Sequence, residues 1–226
     1  MKHRVIAIAG AKGSPGCSFL AVALARCLAA NKIPTLLLDG DAEGGGLAAM
    51  LDVSPMMPTR KLDTKAIDQA EVRVEEHLWF AEVAQTLDSP ANGIELAGAA
   101  RARHQAAVVD LGHSTRLMQQ QLSAASDWLL WVVVPDRLGL ERADKALESG
   151  LLSAASVGLV FNRMGRGSLD RAEEVLASRH RLPIMARIEE NPRIADRLSH
   201  GLPVHRERGL RRPIGELARS VHPDAG

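Results

Sequence analysis

A short glycine-containing loop near the N-terminus carries residue types that bind phosphate. Gly10, Gly13 and Gly16 lie in it, and the hydroxyl residue Ser18 follows at the start of a helix-prone run. Glycines let several backbone N–H groups point at one centre, and a helix N-terminus adds unpaired N–H groups and the positive end of its dipole. The stretch therefore predicts a binding site for a phosphate-sized anion.

The spacing within this loop is that of a P-loop with two departures. The P-loop pattern requires Gly, four residues, Gly, Lys and then Ser or Thr. In this alignment Ala11 occupies the first position and Gly16 the second. Cys17 replaces the lysine, and Ser18 keeps the Mg²⁺-binding hydroxyl. The spacing leaves two interpretations open, which are a nucleotide site without its usual lysine and an ordinary glycine-rich turn between a strand and a helix.

Polar residues also follow several apolar runs farther along the chain. Asp39, Asp110 and Asn162 each end such a run. In doubly wound sheets, ligands bind beyond the carboxyl ends of the strands, so these side chains are candidates for the same site as the loop. Each could instead be a helix cap or a turn residue, because Asp and Asn favour both positions. Their joint presence favours a nucleotide pocket.

The elements that must position these residues follow an alternating pattern of strands and helices. Continuous apolar runs are typical of parallel strands that are buried on both faces. Such runs occupy residues 5–9, 35–39, 106–110, 128–134, 157–162 and 183–186. Helix-prone stretches separate them, most clearly at residues 138–152 and 169–178. The pattern predicts an α/β fold with a doubly wound, mostly parallel sheet and helices on both faces.

The composition is that of a globular protein. The chain has 226 residues, of which 46% are hydrophobic and 24% are charged, so we expect residues 1–226 to form a single domain. Its two cysteines indicate neither a disulfide framework nor a metal site. The N-terminal apolar run is too short for a signal peptide, and no run approaches the roughly 20 residues of a transmembrane helix. We therefore expect a cytoplasmic protein.

The loop also resembles that of a known protein family. Residues 11–18 are similar to the deviant P-loop of the MinD/ParA ATPases, whose early signature lysine reaches across a dimer to the partner's nucleotide, and Lys12 matches that position. The second lysine is replaced by Cys17, which resembles the CpaE/TadZ branch of the family, associated with positioning tight-adherence pili. The resemblance covers nearly the whole chain except residues 52–100.

The resemblance implies ATP and Mg²⁺ as cofactors. The nucleotide-binding residues that it implies are Ala11, Lys12, Gly13, Ser14, Pro15, Gly16, Cys17, Ser18, Asn162 and Arg163. In the family, the residue at the position of Asn162 hydrogen-bonds the adenine edge. An amide suits that role because it both donates and accepts hydrogen bonds.

The resemblance also implies roles for the acidic residues. Asp41 matches the aspartate that orients or activates the attacking water, so Asp41 and Lys12 are the expected catalytic residues. Asp110 matches the Walker B aspartate, and the implied Mg²⁺ ligands are Ser18, Asp39 and Asp110. The Asp-Leu-Gly segment that begins at Asp110 is similar to an Asp-Leu-Pro segment of the CpaE-like branch, whose backbone senses the γ-phosphate.

From this resemblance we expect an ATP-bridged homodimer that positions a cellular machine, such as tight-adherence pilus assembly, by contacting protein partners of a polar or pilus assembly. Hydrolysis should be slow or absent, since Cys17 removes positive charge on which phosphoryl transfer depends. Whether the chain is an enzyme stays open. Two alternatives are a nucleotide-free pseudo-ATPase scaffold and an ATPase of chromosome or plasmid partition or of the division site.

The C-terminal stretch bears on membrane and nucleic-acid binding. Residues 205–221 contain five arginines and an apolar set at helical spacing. This apolar set lacks aromatic residues, so packing against the domain is favoured over insertion into a membrane surface. Binding to nucleic acid ranks last because the net charge of the chain is only +1.

Overall fold

The structure, a computed structural model, describes residues 3–11, 15–41, 46–53, 71–82, 90–113, 117–165 and 171–225. Within them the strands are β1 (Arg4–Gly10), β2 (Thr35–Asp39), β3 (Val72–Glu75), β4 (Leu78–Glu82), β5 (Ala106–Asp110), β6 (Trp128–Val133), β7 (Ser156–Met164) and β8 (Ile184–Glu189). The helices are α1 (Cys17–Ala30), α2 (Leu47–Leu51), α3 (Pro90–Arg103), α4 (Leu117–Ala124), α5 (Arg137–Ser149), α6 (Ala172–His180), α7 (Pro192–Ser199) and α8 (Arg211–Val221).

The strands form one sheet in the order β3-β4-β2-β5-β1-β6-β7-β8. Neighbouring strands are parallel except β3 and β4, which pair antiparallel at one edge. The predicted doubly wound, mostly parallel sheet is therefore confirmed. From β1 the chain first forms β2, β3 and β4 on one side, returns to place β5 between β2 and β1, and then adds β6, β7 and β8 on the other side. The loop after β1 therefore lies next to the point where the winding reverses. Ligands of such sheets bind at this point.

Hydrophobic cores cover both faces of the sheet. On one face, Ile6 and Ile8 of β1 pack in a cluster with residues of α1, α2, α7 and α8. On the other face, Val5 and Ala7 pack in a cluster with residues of α3, α4, α5 and α6. Because both faces are covered, the inner strands β1, β2 and β5 are apolar along most of their length.

Helix α1 is buried on nearly every side. It packs against β1, β5, β2 and α8, and even its Arg26 is 3% exposed. Alanines at positions 21, 23, 25 and 29 favour the helix and let its neighbours approach closely. The surrounding core therefore fixes where the helix begins and in which direction its N-terminus points.

The C-terminal helix α8 packs against α1 and β8. Its residues Ile214, Leu217, Ala218 and Val221 are buried, whereas its arginines are exposed. The predicted packing against the domain is confirmed, and the protein itself covers this apolar face. In the part of the chain that the structure describes, no helix is both long and apolar enough to cross a membrane.

Several element boundaries differ from the predicted ones by a few residues, and two of these differences have a clear position in the structure. The strand predicted at residues 183–186 continues to Glu189. The helix predicted over residues 138–152 ends at Ser149 because Gly150 adopts a left-handed φ of 61° and caps it.

Truncation of Leu217 to alanine tests the docking of α8. Leu217 is fully buried, so Leu217→Ala should lower the free energy of unfolding by roughly 2–5 kcal/mol, measured by urea denaturation. The control is Arg212→Ala in the same helix, which removes an exposed ion pair with Glu216 and should change stability by no more than about 1 kcal/mol. Equal stability of both variants would contradict the packing described here.

Candidate functional site

The loop after β1 brings the start of α1 to the carboxyl edge of the sheet. β1 ends at Gly10, and α1 begins directly after Gly16, whose φ of 98° lies in the left-handed region that favours glycine. A Cβ atom on Gly10 would overlap the ring of Pro15. The chain therefore turns tightly, and glycine is required at both positions.

The structure describes only part of the predicted phosphate-binding loop. Ala11 and residues 15–18 are described at its two ends. Lys12, Gly13 and Ser14 lie outside the described residues, so their assignments stay predictions.

The first turn of α1 presents backbone N–H groups without partners in the helix. Among the described residues, no side chain caps this helix. The first intrahelical hydrogen bond runs from the Leu20 N–H to the Gly16 carbonyl oxygen at 3.0 Å. The N–H groups of residues 17–19 precede this bond and have no acceptor within the helix. Together with the positive end of the helix dipole, they suit an anion.

The start of α1 borders a cavity of about 700 Å³. Its walls include Pro15, Gly16, Cys17, Ser18, Asp41, Asn162 and Arg163. Cavities of this size hold small-molecule ligands and cofactors. The structure thus brings most of the described site residues together around one space, whereas Ala11, Asp39 and Asp110 do not line it.

Part of the same cavity wall is apolar. Phe19 of α1, Met50 of α2, Ile188 of β8, and Ile194 and Leu198 of α7 supply this surface. The cavity therefore combines an apolar surface, which suits an aromatic base, with N–H groups, which suit phosphate.

Two buried carboxylates end neighbouring strands at this edge of the sheet. Asp39 ends β2 and Asp110 ends β5, and the two residues are register partners. They are 2% and 0% exposed. Burial, opposed by a hydrogen bond from the Asp41 backbone N–H at 3.2 Å and reinforced by nearby carboxylates, raises the pKa of Asp39 to about 7.

The two carboxylate oxygens of Asp110 differ in their hydrogen bonds. Its Oδ1 accepts a hydrogen bond from the Gly112 N–H at 2.9 Å, whereas its buried Oδ2 makes no hydrogen bond of standard geometry with the described residues. Burial raises the pKa of Asp110 and the charge of Asp41 adds to this effect, although the nearby Ser18 hydroxyl and the Gly112 N–H oppose it. An unpaired carboxylate oxygen beside a hydroxyl suits a hard cation.

The described residues fit Mg²⁺ only together with other ligands. In the ranges that the structure describes, no three His, Cys, Asp or Glu side chains converge to hold a metal ion. Mg²⁺ usually keeps several waters and takes one or two carboxylates plus substrate phosphates. Ser18 and Asp110 fit as part of such a set, and phosphate oxygens and water must complete it.

Cys17, which aligns in sequence with the P-loop lysine, provides no charge. Its thiol is 5% exposed and donates to the Gly112 carbonyl oxygen at 3.6 Å. Burial, followed by the negative charges of Asp110 and Asp41, raises the pKa of Cys17 well above its usual range. The group is therefore a neutral thiol, and the described cavity wall has one Lys or Arg side chain, that of Arg163.

Gly112 makes contacts that the sequence does not predict. Its φ is 59°, and a Cβ on it would overlap the carboxylate of Asp41. Its carbonyl oxygen also accepts from the Gly10 N–H at 3.0 Å, which ties the end of β5 to the start of the loop. Proline requires a φ near −65°, so this residue cannot adopt the conformation of the proline in the similar Asp-Leu-Pro segment. The available signal was the glycine itself, two residues after Asp110.

Asn162 contacts the loop directly. It is 5% exposed, and its Nδ2 donates to the Pro15 carbonyl oxygen at 2.8 Å. The next residue, Arg163, has a left-handed φ of 57° and lines the cavity. The resemblance in the sequence predicts both residues as nucleotide contacts, but it does not predict the hydrogen bond to the loop.

A comparison of sequence profiles decides the family. The profile of the CobQ/CobB/MinD/ParA nucleotide binding domain matches residues 6–204. The chain belongs to this family. No curated protein matches its sequence closely.

Solved structures of this family have the same fold. MinD from Pyrococcus horikoshii, complexed with Mg-ADP, is 20% identical with a TM-score of 0.81, covering 99% of this chain and 98% of that one. A ParA family ATPase from Chlorobium tepidum is 21% identical with a TM-score of 0.79, covering 98% and 99%. A putative plasmid partition protein from Borrelia burgdorferi bound to AMPPNP is 16% identical with a TM-score of 0.73, covering 97% and 98%. At these identities the likeness establishes the fold.

The raised pKa of Asp39 predicts a pH-dependent stability in this MinD/ParA-family chain. The Asp39 carboxyl has a pKa near 3.9 in the unfolded chain and about 7 in the folded protein. Ionisation of Asp39 therefore lowers the free energy of unfolding progressively as the pH rises from about 4 to 7. The full cost applies above pH 7. Asp39→Asn removes this charge, and the Asn oxygen still accepts from the Asp41 N–H.

Urea denaturation in a chelator measures the effect of Asp39→Asn. The variant should be more stable than the natural protein by roughly 1–4 kcal/mol at pH 8 and by clearly less at pH 5. Asp224→Asn, at an exposed position, is the control and should change stability little at either pH. An equal gain in stability at pH 5 and pH 8 for Asp39→Asn would show that the pKa of Asp39 is not raised in the folded protein.

Proposed function

We propose that this chain binds ATP with Mg²⁺ in the cavity at the start of α1 and acts as a nucleotide-dependent homodimer that positions a cellular machine. One observation carries the proposal. The uncapped first turn of α1 and the Ser18 hydroxyl open into a cavity whose other wall is apolar. Membership in a nucleotide-binding family supports it, as do the Mg-ADP and AMPPNP bound to two proteins of similar fold.

The phosphates would lie against the backbone N–H groups at the start of α1, those of residues 16–18. Ser18 and Asp110, with Asp39 beside them, would hold Mg²⁺, and the ion when bound neutralises phosphate charge. Asp41 lines the cavity and would orient the attacking water. Asn162 and Arg163 would lie near the nucleotide base.

Hydrolysis would be slow or absent. The transfer of a phosphoryl group depends on positive charge that stabilises the transition state. The neutral thiol of Cys17 supplies none, and the carboxylates of Asp110 and Asp41 place negative charge near it. The chain would thus be at most a slow ATPase. Its ATP-bound state, more than ATP turnover, would be what its partners recognise.

The dimer and its cellular role rest on the resemblance in the loop. Lys12 would reach the partner's nucleotide as the signature lysine does in the family. The replacement of the second lysine by Cys17 resembles the CpaE/TadZ branch, so we propose a role in the assembly or localisation of a tight-adherence pilus. Protein partners of that assembly would then recognise the ATP-bound dimer.

One alternative is favoured by a specific observation. Buried carboxylates with raised pKa values lie beside the cavity, and an uncompensated cluster of this kind repels phosphate. In the alternative, the chain binds no nucleotide and serves as a scaffold for partner proteins.

Equilibrium dialysis against ATP distinguishes the two functions. The natural chain should bind ATP saturably and more tightly with Mg²⁺ than with a chelator. Ser18→Ala should weaken Mg²⁺-dependent binding by roughly tenfold, since it removes a hydrogen bond to a charged group or a metal ligand. The matched control is Ser220→Ala, an exposed serine whose hydroxyl donates to the Glu216 carbonyl oxygen in α8. Absence of any saturable binding would favour the scaffold.

Restoring the lysine tests the assignment of position 17. Cys17→Lys should tighten ATP binding by roughly tenfold or more, because a charge-assisted hydrogen bond to phosphate contributes about 1.5–3 kcal/mol. The control is Ala30→Lys, an exposed position at the other end of α1, which lies away from the loop and should give no gain. An unchanged ATP affinity in Cys17→Lys would mean that residue 17 does not face the phosphates.

Sedimentation measures the proposed dimer. The natural chain with saturating ATP and Mg²⁺ should sediment as a dimer, and Lys12→Ala should shift it toward the monomer while ATP still binds. Lys145→Ala is the control, since Lys145 is exposed and pairs with Glu141 within α5. A monomer under saturating ATP would contradict the proposed dimer.

A further inference from the structure

Asn162 makes a contact that binding of a base does not require. Its Nδ2 donates to the carbonyl oxygen of Pro15 at 2.8 Å across a separation of 147 residues. A backbone carbonyl only accepts, so the amide must turn its nitrogen toward Pro15. The orientation of the side chain is thus fixed by the loop before any ligand arrives.

The Asn162 amide also packs against Gly16, the residue directly before α1. A Cβ on Gly16 would overlap the Asn162 amide, and a Cβ on Gly10 would overlap the Pro15 ring. Residues 15 and 16 are therefore held between the end of β1 on one side and the end of β7 on the other.

The hydrogen bond fixes the peptide that leads into α1. Pro15 is buried, so its carbonyl oxygen would be costly to leave unpaired. In a planar trans peptide the carbonyl and the following N–H point in opposite directions. A Pro15 carbonyl that is held toward β7 therefore directs the Gly16 N–H to the other side of the peptide, away from Asn162.

We propose that Asn162 is a positioning residue for the phosphate-binding loop, which holds the Pro15–Gly16 peptide so that the N–H groups at the start of α1 face an anion. The inference rests on the proposed nucleotide-binding function and deepens it. It differs from recognition of adenine, because a residue that shapes the loop affects phosphate ligands that have no base.

Tripolyphosphate with Mg²⁺ is the probe that separates the two roles. Asn162→Leu removes the donor at nearly constant size and should weaken both ATP and tripolyphosphate by roughly tenfold, the effect of one hydrogen bond to a buried carbonyl. Asn31→Leu is the matched control, since the Asn31 Nδ2 donates to the Cys27 carbonyl oxygen at 2.9 Å at the other end of α1. That control should leave both affinities unchanged.

A loss confined to ATP, with tripolyphosphate binding at full strength, would overturn the proposal and leave Asn162 as a base contact. The affinities are measured well below the melting temperature of each variant, and Asn162→Ala provides a second variant if Asn162→Leu does not fold. A role in stability alone would lower the melting temperature without changing the affinity for tripolyphosphate.

Amide hydrogen exchange tests the same role without any ligand. In nucleotide-free protein, Asn162→Leu should speed exchange of the Leu20 N–H, which is hydrogen-bonded to the Gly16 carbonyl oxygen, by roughly tenfold relative to the natural chain, and Asn31→Leu should not. Unchanged exchange of this N–H would overturn the proposal. If exchange rises but the natural chain binds neither ATP nor tripolyphosphate, the positioning role stands and the proposed nucleotide-binding function fails.

Discussion

The direction of α1 is the constraint on which the rest of the site depends. The helix packs against β1, β5 and α8. This packing directs its N-terminus to the carboxyl edge of the sheet, beside the point where the strand order changes direction. The turn that reaches it is confined by Gly10 and Gly16, where any side chain would collide with a neighbour. Burial of apolar surface in the two cores thus fixes the position of a few polar N–H groups.

The electrostatics of the site follow from what surrounds these N–H groups. Asp39 and Asp110 are buried at adjacent strand ends, and their pKa values are raised chiefly by burial. A P-loop lysine would offset this negative charge, but Cys17 is a neutral thiol. Among the described residues, positive potential therefore comes from the N-terminus of α1 and from Arg163. Under the proposed function, Mg²⁺ bound together with the phosphates would add to it.

The sequence predicted the inner part of the sheet well because two-sided burial leaves continuous apolar runs, as in β1, β2 and β5. It also placed Asp39 and Asp110 at one edge, because parallel strands end on the same side. It missed β3, which is short, antiparallel and only partly buried, so its residues show no strong pattern. The contact of Asn162 with Pro15 depends on tertiary packing and leaves no local signal in the sequence. The positive φ of Gly112 leaves one weak signal, which is the glycine itself.

The strand order has a consequence for how the protein is made. β1 leaves the ribosome well before its two neighbours in the sheet, β5 and β6, whose residues pair with it from Ala106 and Trp128 onward. The apolar strand β1 therefore lacks its neighbours in the sheet, and α1 lacks part of its packing surface, while more than a hundred residues are translated. Such a segment is exposed to aggregation before the sheet can close around it, and a chaperone that shields it would act during this interval.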